Sequence, residues 1–191
     1  ASERELPALG RRHSAAQSAA AVHMAAEAGI SNISVDFMLG VPFQTEESVL
    51  QTLSFLKELP ITHLSAYLLK VEEGTPYQNS PLLAQCAGED ALAELYLTAQ
   101  SALARMGLLQ YEISNFARPG WESAHNLKYW RCEEYLGFGP AAHSFLQGKR
   151  FCHPADLSLY QTHPVPSIHL TDSEAGGLDE KLMLGLRLTE G

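Results

Sequence analysis

Apolar and polar positions alternate along this chain in blocks of changing period. From Ser14 to Ala28, SAAQSAAAVHMAAEA is rich in the strongest helix former and runs into Gly29, which predicts a helix with a glycine stop. NISVDFML then switches to a period of two, with Ile33, Val35, Phe37 and Leu39 on one face and Ser34, Asp36 and Met38 on the other, so a strand is expected. Pro42 closes it, Gln44 or Thr45 can cap the next helix, and Val49, Leu50, Leu53 and Leu56 recur at helical spacing up to Pro60. HLSAYLLK reads as a strand and EEGTPY as a turn. Glu89 to Met106 reads as a long helix with Leu92, Leu95, Ala99 and Leu103 on one side, and QYEISNFA as a further strand.

Helix, strand, helix, strand, helix, strand is the order of parallel β/α units, either a barrel segment or an open doubly wound sheet. Doubly wound strands are covered on both faces and read as nearly continuous apolar runs, whereas barrel strands keep an interior side that carries polar groups. Asp36, Ser65, Tyr67, Glu112 and Ser114 interrupt the apolar runs, and a partial barrel is the expectation. After Pro119 the periodicity fails until DEKLMLGLRL, which predicts a loop-rich extension and then a helix. The expected division is 1–118 as barrel, 119–170 as extension and 171–191 as the start of a helical accessory domain.

A length of 191 residues allows one substantial core. The net charge of −9 and a pI near 5.3 leave too few cations for a face that binds nucleic acid, and no apolar run approaches the roughly 20 residues of a membrane span. Cys86, Cys132 and Cys152 are odd in number and far apart, which suits neither a disulfide framework nor a self-contained metal site and points to a reducing cytoplasm. The chain opens without Met or a hydrophobic leader and stops after an apolar helical run, so a piece of a longer protein is expected.

Asp36 is the first candidate for chemistry, because a carboxylate buried in an apolar strand needs a partner or a ligand; a salt bridge to a neighbouring strand is the alternative. GRRHS places Arg11 and Arg12 where a rim loop begins, or else forms a solvated basic turn. Glu72 and Glu73 in the turn read as solvated. The densest collection is HNLKYWRCEEYLGFGPAAH, residues 125 to 143, which has neither helical nor strand periodicity. His125 and Asn126 with the flat faces of Tyr129 and Trp130 suit a planar apolar ligand with a metal at its centre. Zinc on His125, Cys132 and His143 matches no familiar ligand spacing.

SVDFMLGVPFQT, YLLKVEEGTPY, YEISNFARPG and HNLKYWRCEEYLGFGPAAHS, in this order, resemble the radical S-adenosylmethionine proteins related to oxygen-independent coproporphyrinogen III oxidase, and within that group the bacterial heme chaperones. The resemblance runs from about Gly10 to the end. It implies a partial (β/α) barrel of TIM type. It further implies that Arg11 and Asp36 contact S-adenosylmethionine, the guanidinium through a carboxylate and the aspartate through hydroxyl or amine donors, with Lys70 a further contact. The HNxxYW element, His125 to Trp130, sets the chaperones apart from the oxidase, and His125 is the implied axial ligand of heme iron.

The three-cysteine CxxxCxxC loop that holds the family's 4Fe-4S cluster is absent from this sequence. The resemblance therefore implies a heme chaperone that, when intact, also carries the cluster and S-adenosylmethionine and delivers heme to a respiratory membrane protein. The alternative is the oxidase itself, radical decarboxylation of coproporphyrinogen III. A hydrolase built on His125 or His143 would lack a nucleophile motif such as GxSxG.

Overall fold

The structure is a computed structural model that describes residues 4–162, 169–172 and 175–190. The first three residues of the N-terminal segment and 163–168 of the expected extension lie outside the described residues. The chain forms two compact units, Ala1–Glu122 and Ser123–Gly191.

In the first unit the local signals act as read. The helix α1 spans Glu5–Ala8 and α2 spans Ala15–Glu27. Ser14 opens α2 with a capping box, its side chain accepting from the Gln17 N–H while the Gln17 side chain accepts from the Ser14 N–H. Strand β1 is Ser34–Leu39, α3 is Glu46–Lys57 and β2 is His63–Leu68. Thr45, not Gln44, caps α3, again reciprocally with Ser48. Helix α4 is Glu89–Arg105, after two 3-10 turns.

β1 and β2 pair in parallel, with Asp36 opposite Ser65 and Met38 opposite Tyr67. Alternation then gives the sheet two characters. One face sends Phe37, Leu39, Leu64 and Ala66 into a core completed by Val49 and Leu53 of α3 and Leu95, Ala99 and Leu103 of α4. Each fully buried Leu or Phe there contributes about 1.5–3 kcal/mol relative to exposure. The other face carries Asp36, Met38, Ser65 and Tyr67, the polar interior side expected of a barrel rather than of a doubly wound sheet.

The third strand departs from expectation. QYEISNFA is not one strand: β3 (Leu109–Gln110) and β4 (Asn115–Ala117) form an antiparallel hairpin, and β4 runs antiparallel to β2, giving the order β1-β2-β4-β3. Glu112 explains the fold-back. Its side chain is fully buried, and Oε1 accepts from the Ser114 N–H and from the Asn115 side-chain amide, two donors that an extended chain would carry away. Ser114 therefore sits in the turn, not in mid-strand.

The second unit also differs from the reading. HNLKYW is helical: α5 spans Ala124–Trp130, with Ser123 as its cap accepting from the Asn126 N–H. Seven residues are too few for an apolar period to declare itself, but one cap is enough to start the helix. The segment expected to be loop-rich holds a three-stranded antiparallel sheet of β5 (His143–Leu146), β6 (Lys149–Cys152) and β7 (His169–Asp172), with α6 at Leu157–Thr162. Strands of four residues escape a pattern search for the same reason. The final helix α7 is Leu178–Gly185.

Candidate functional site

Arg11 and Asp36, 25 positions apart in the sequence, line one cavity of about 530 Å³ in the first unit, a volume within the roughly 300–1,000 Å³ range of small-molecule sites. Its wall includes both Val35 and Asp36, neighbours that point to opposite sides of β1, so the cavity bends round the outer edge of that strand. Asp36 is exposed, which corrects the reading of a carboxylate buried in an apolar strand: β1 is the terminal strand of the sheet. The aspartate is therefore accessible to a ligand and has no burial penalty to offset.

The rim loop after β1 is built by its own side chains. Gln44 folds back so that Oε1 accepts from the Gly40 N–H at 2.7 Å and Nε2 donates to the Met38 carbonyl at 3.0 Å. Gly40 has φ +79, a backbone conformation that favours glycine, and a Cβ there would stand 2.7 Å from Leu92 Cδ1, the movable end of a side chain, so the backbone rather than the space selects glycine. Phe43 has φ 67, and the Arg4 guanidinium lies 3.8 Å from its ring centroid, which ties α1 to this loop.

Three further side chains on the cavity wall were not singled out as site residues from the sequence: Glu5, His13 and Tyr67. Glu5 is only 6% exposed and its Oε1 has no hydrogen-bond partner, so the cavity offers an acceptor with no protein donor. Its burial depends on how α1 seats, and no sequence period reports that; His13 lay within the GRRHS motif. Lys70 does not line the cavity. It lies beyond the end of β2, exposed, with Nζ 3.0 Å from Glu72.

In the second unit the helical spacing of α5 brings His125 and Tyr129 together. The Tyr129 hydroxyl lies 2.7 Å from His125 Nε2, and the rings meet edge-on with centroids 4.8 Å apart. Tyr129 also packs edge-on to Tyr135, at 4.6 Å. The Arg187 guanidinium lies over Trp130, 4.1 Å from the ring centroid, while the indole N–H is buried without an acceptor. Both aromatic rings thus have protein neighbours rather than two bare faces. His125 itself is exposed and Asn126 half-buried. His143 opens β5, opposite Cys152.

Among the described residues no group of three or more His, Cys, Asp or Glu is placed to hold a metal ion, which removes the zinc reading of His125, Cys132 and His143. All three cysteines are free, and burial pushes the Cys86 thiol up, away from thiolate reactivity. No helix among the described residues is long and apolar enough to cross a membrane.

No protein-family model matches the chain. It is 35% identical to the heme chaperone HemW of Bacillus subtilis over 97% of its own length and 51% of that protein's. It is 44% identical to the mouse mitochondrial radical S-adenosyl methionine domain-containing protein 1, over 73% of this chain and 32% of that one. Among solved structures it is similar to coproporphyrinogen III oxidase HemN of Escherichia coli, a radical SAM enzyme, with a TM-score of 0.71 over 88% of this chain and 42% of that one; at 19% identity this speaks for the fold alone.

Proposed function

Because this chain belongs to the HemW-like family of radical S-adenosylmethionine proteins and spans about half the length of the relatives it matches, we propose that it is part of a cytoplasmic heme chaperone, with His125 as the heme ligand and the Arg11–Asp36 cavity as part of an S-adenosylmethionine site. Heme transfer to a respiratory membrane protein is the activity this reading assigns to the whole protein. The observation that carries it is α5: an exposed imidazole and, five residues on, a buried indole N–H without an acceptor.

Bound heme supplies an iron that takes an axial nitrogen, a flat apolar ring and carboxylate acceptors. The residues of α5 fit those demands. His125 sets an imidazole at an exposed position, its Nε2 in contact with the Tyr129 hydroxyl, and Trp130 has a donor unspent. The Ser123 cap fixes the start of the helix and thereby the direction of His125 two residues on. Asn126 is half-buried within the same turn.

In the first unit, Arg11 presents a fork suited to an amino-acid carboxylate, and Asp36 an acceptor for hydroxyl or ammonium donors. Lys70 is assigned an outlying contact through its backbone. Among the described residues Cys86, Cys132 and Cys152 are not gathered with other metal-ligating side chains, so the residues present do not fit a 4Fe-4S cluster.

Heme titration followed by absorbance tests the assignment. His125→Ala is expected to weaken binding about tenfold or more and to change the spectrum, while circular dichroism stays unchanged. His143→Ala is the control, because its backbone continues to pair in β5 whatever the side chain. Equal affinity and spectrum in a folded His125→Ala protein would rule out the axial role.

A further inference from the structure

His125 is not a bare imidazole. One turn of α5 separates it from Tyr129, whose hydroxyl reaches Nε2 at 2.7 Å. The phenol is held in that position from behind. Tyr135 packs edge-on against its ring at an interplanar angle of 89°, and the Tyr135 hydroxyl accepts from Arg150 at 3.1 Å. Arg150 in turn forks onto Glu180, with Nε and the terminal nitrogen 2.7 and 2.6 Å from Oε1. A chain of contacts reaching α7 thus keeps the Tyr129 oxygen on the imidazole.

Nε2 is the ring nitrogen farthest from the backbone. Nδ1 adjoins the carbon that bears Cβ, and a macrocycle approaching it would meet the helix. Iron therefore seeks the nitrogen that Tyr129 already occupies, and a single lone pair cannot serve both.

Resting on the assignment of His125 as heme ligand, we propose that Tyr129 is a release element: its hydroxyl competes with heme iron for His125 Nε2. Uptake exchanges an O–H···N hydrogen bond for an Fe–N bond. The phenol keeps its proton, the Nε2 lone pair turns to the iron, Nδ1 keeps its hydrogen, and no electron changes hands. On release the phenol takes the nitrogen back, so the empty imidazole is neither left unpaired nor free to rebind at full strength. A protein that must hand its cargo on is served by such an internal competitor, and the net worth of one neutral hydrogen bond sets its size at about 2- to 10-fold in affinity.

Tyr129→Phe removes the competing oxygen and retains the ring that packs on Tyr135. Two measurements separate this proposal from the assignment beneath it. In heme titrations of the full chain, Tyr129→Phe is expected to bind about 2- to 10-fold more tightly, with an axial spectrum unchanged from the parent and lost in His125→Ala. In the heme-free protein, nitrogen-15 spectra of the imidazole at one fixed pH are expected to show the His125 proton on Nδ1 in the parent and moved toward Nε2 in Tyr129→Phe. Unchanged or weaker heme binding in Tyr129→Phe, with His125→Ala still impaired, would overturn the competition alone. A His125→Ala protein that binds heme normally would overturn both. An imidazole with the same tautomer in parent and Tyr129→Phe would show that the hydroxyl does not hold Nε2 and would also overturn the proposal.

Discussion

His63 and Tyr111, 48 positions apart in the chain, meet at 2.8 Å between imidazole Nε2 and phenol oxygen. The other ring nitrogen, Nδ1, lies 2.7 Å from Ser34 Oγ. One buried imidazole thereby joins β1, β2 and the β3–β4 hairpin at the end of the sheet where β1 and β2 begin. Both nitrogens are engaged by groups within the fold, so its role is read as cohesion of the sheet.

Burial pushes the His63 pKa below the ordinary imidazole value of 6.5, against a smaller opposing pull from Asp36, Glu112 and Glu122. Below that value the unfolded chain takes up the proton more readily than the folded one, so stability rises with pH through this window. The contribution is complete above about pH 6.5 and is lost as pH falls through the lowered value. Urea midpoints measured from pH 5 to 7.5 are expected to fall toward acid in the parent and more shallowly in His63→Gln. Parallel slopes in the two proteins would refute the assignment.

Gly137 sits where a side chain has no room. A Cβ at this position would stand 2.2 Å from the His143 carbonyl oxygen, which is backbone and cannot swing aside. The Gly137 N–H also donates to Ser144 Oγ at 3.0 Å. Gly137→Ala is expected to cost about 1–3 kcal/mol, read as a lower denaturation midpoint. An unchanged midpoint would show that the turn can relax without loss.

Arg11 is expected to contribute a charge-assisted contact at the edge of the cavity. Arg11→Ala should weaken S-adenosylmethionine about 10- to 100-fold by calorimetry, the span of one lost hydrogen bond to a charged group. Lys70→Ala should change it little, since the Lys70 side chain is spent on Glu72 at the surface. Equal losses in the two variants would point to a general charge effect instead of a specific contact.

Helices α2 and α3 were legible because their signals are local: Ser14 with Gln17, and Thr45 with Ser48, lie three residues apart and close on themselves. The meeting of Arg11 and Asp36 was also within reach, because parallel β/α units collect loops and strand ends at one rim. The exposure of Asp36 was not, since it depends on which strand ends the sheet. Nor was the β3–β4 hairpin, because in the sequence Glu112 reads as one more polar residue of a strand, whereas its buried carboxylate draws the chain back on itself. Glu5 and the Tyr129 contact went unread for related reasons: the first needs the seat of α1, and the second needs to be known as helical before a spacing of four has meaning.

In this chain taken by itself, the terminal position of β1 has a colloidal consequence. An outer strand shows one row of unsatisfied amides and carbonyls, and SVDFML is otherwise the kind of short, β-prone apolar segment on which a second copy can stack. Asp36 is the sole charge in that segment, and like charges brought face to face repel. The same carboxylate that lines the cavity thus also acts as a gatekeeper, keeping this edge from serving as a template for aggregation.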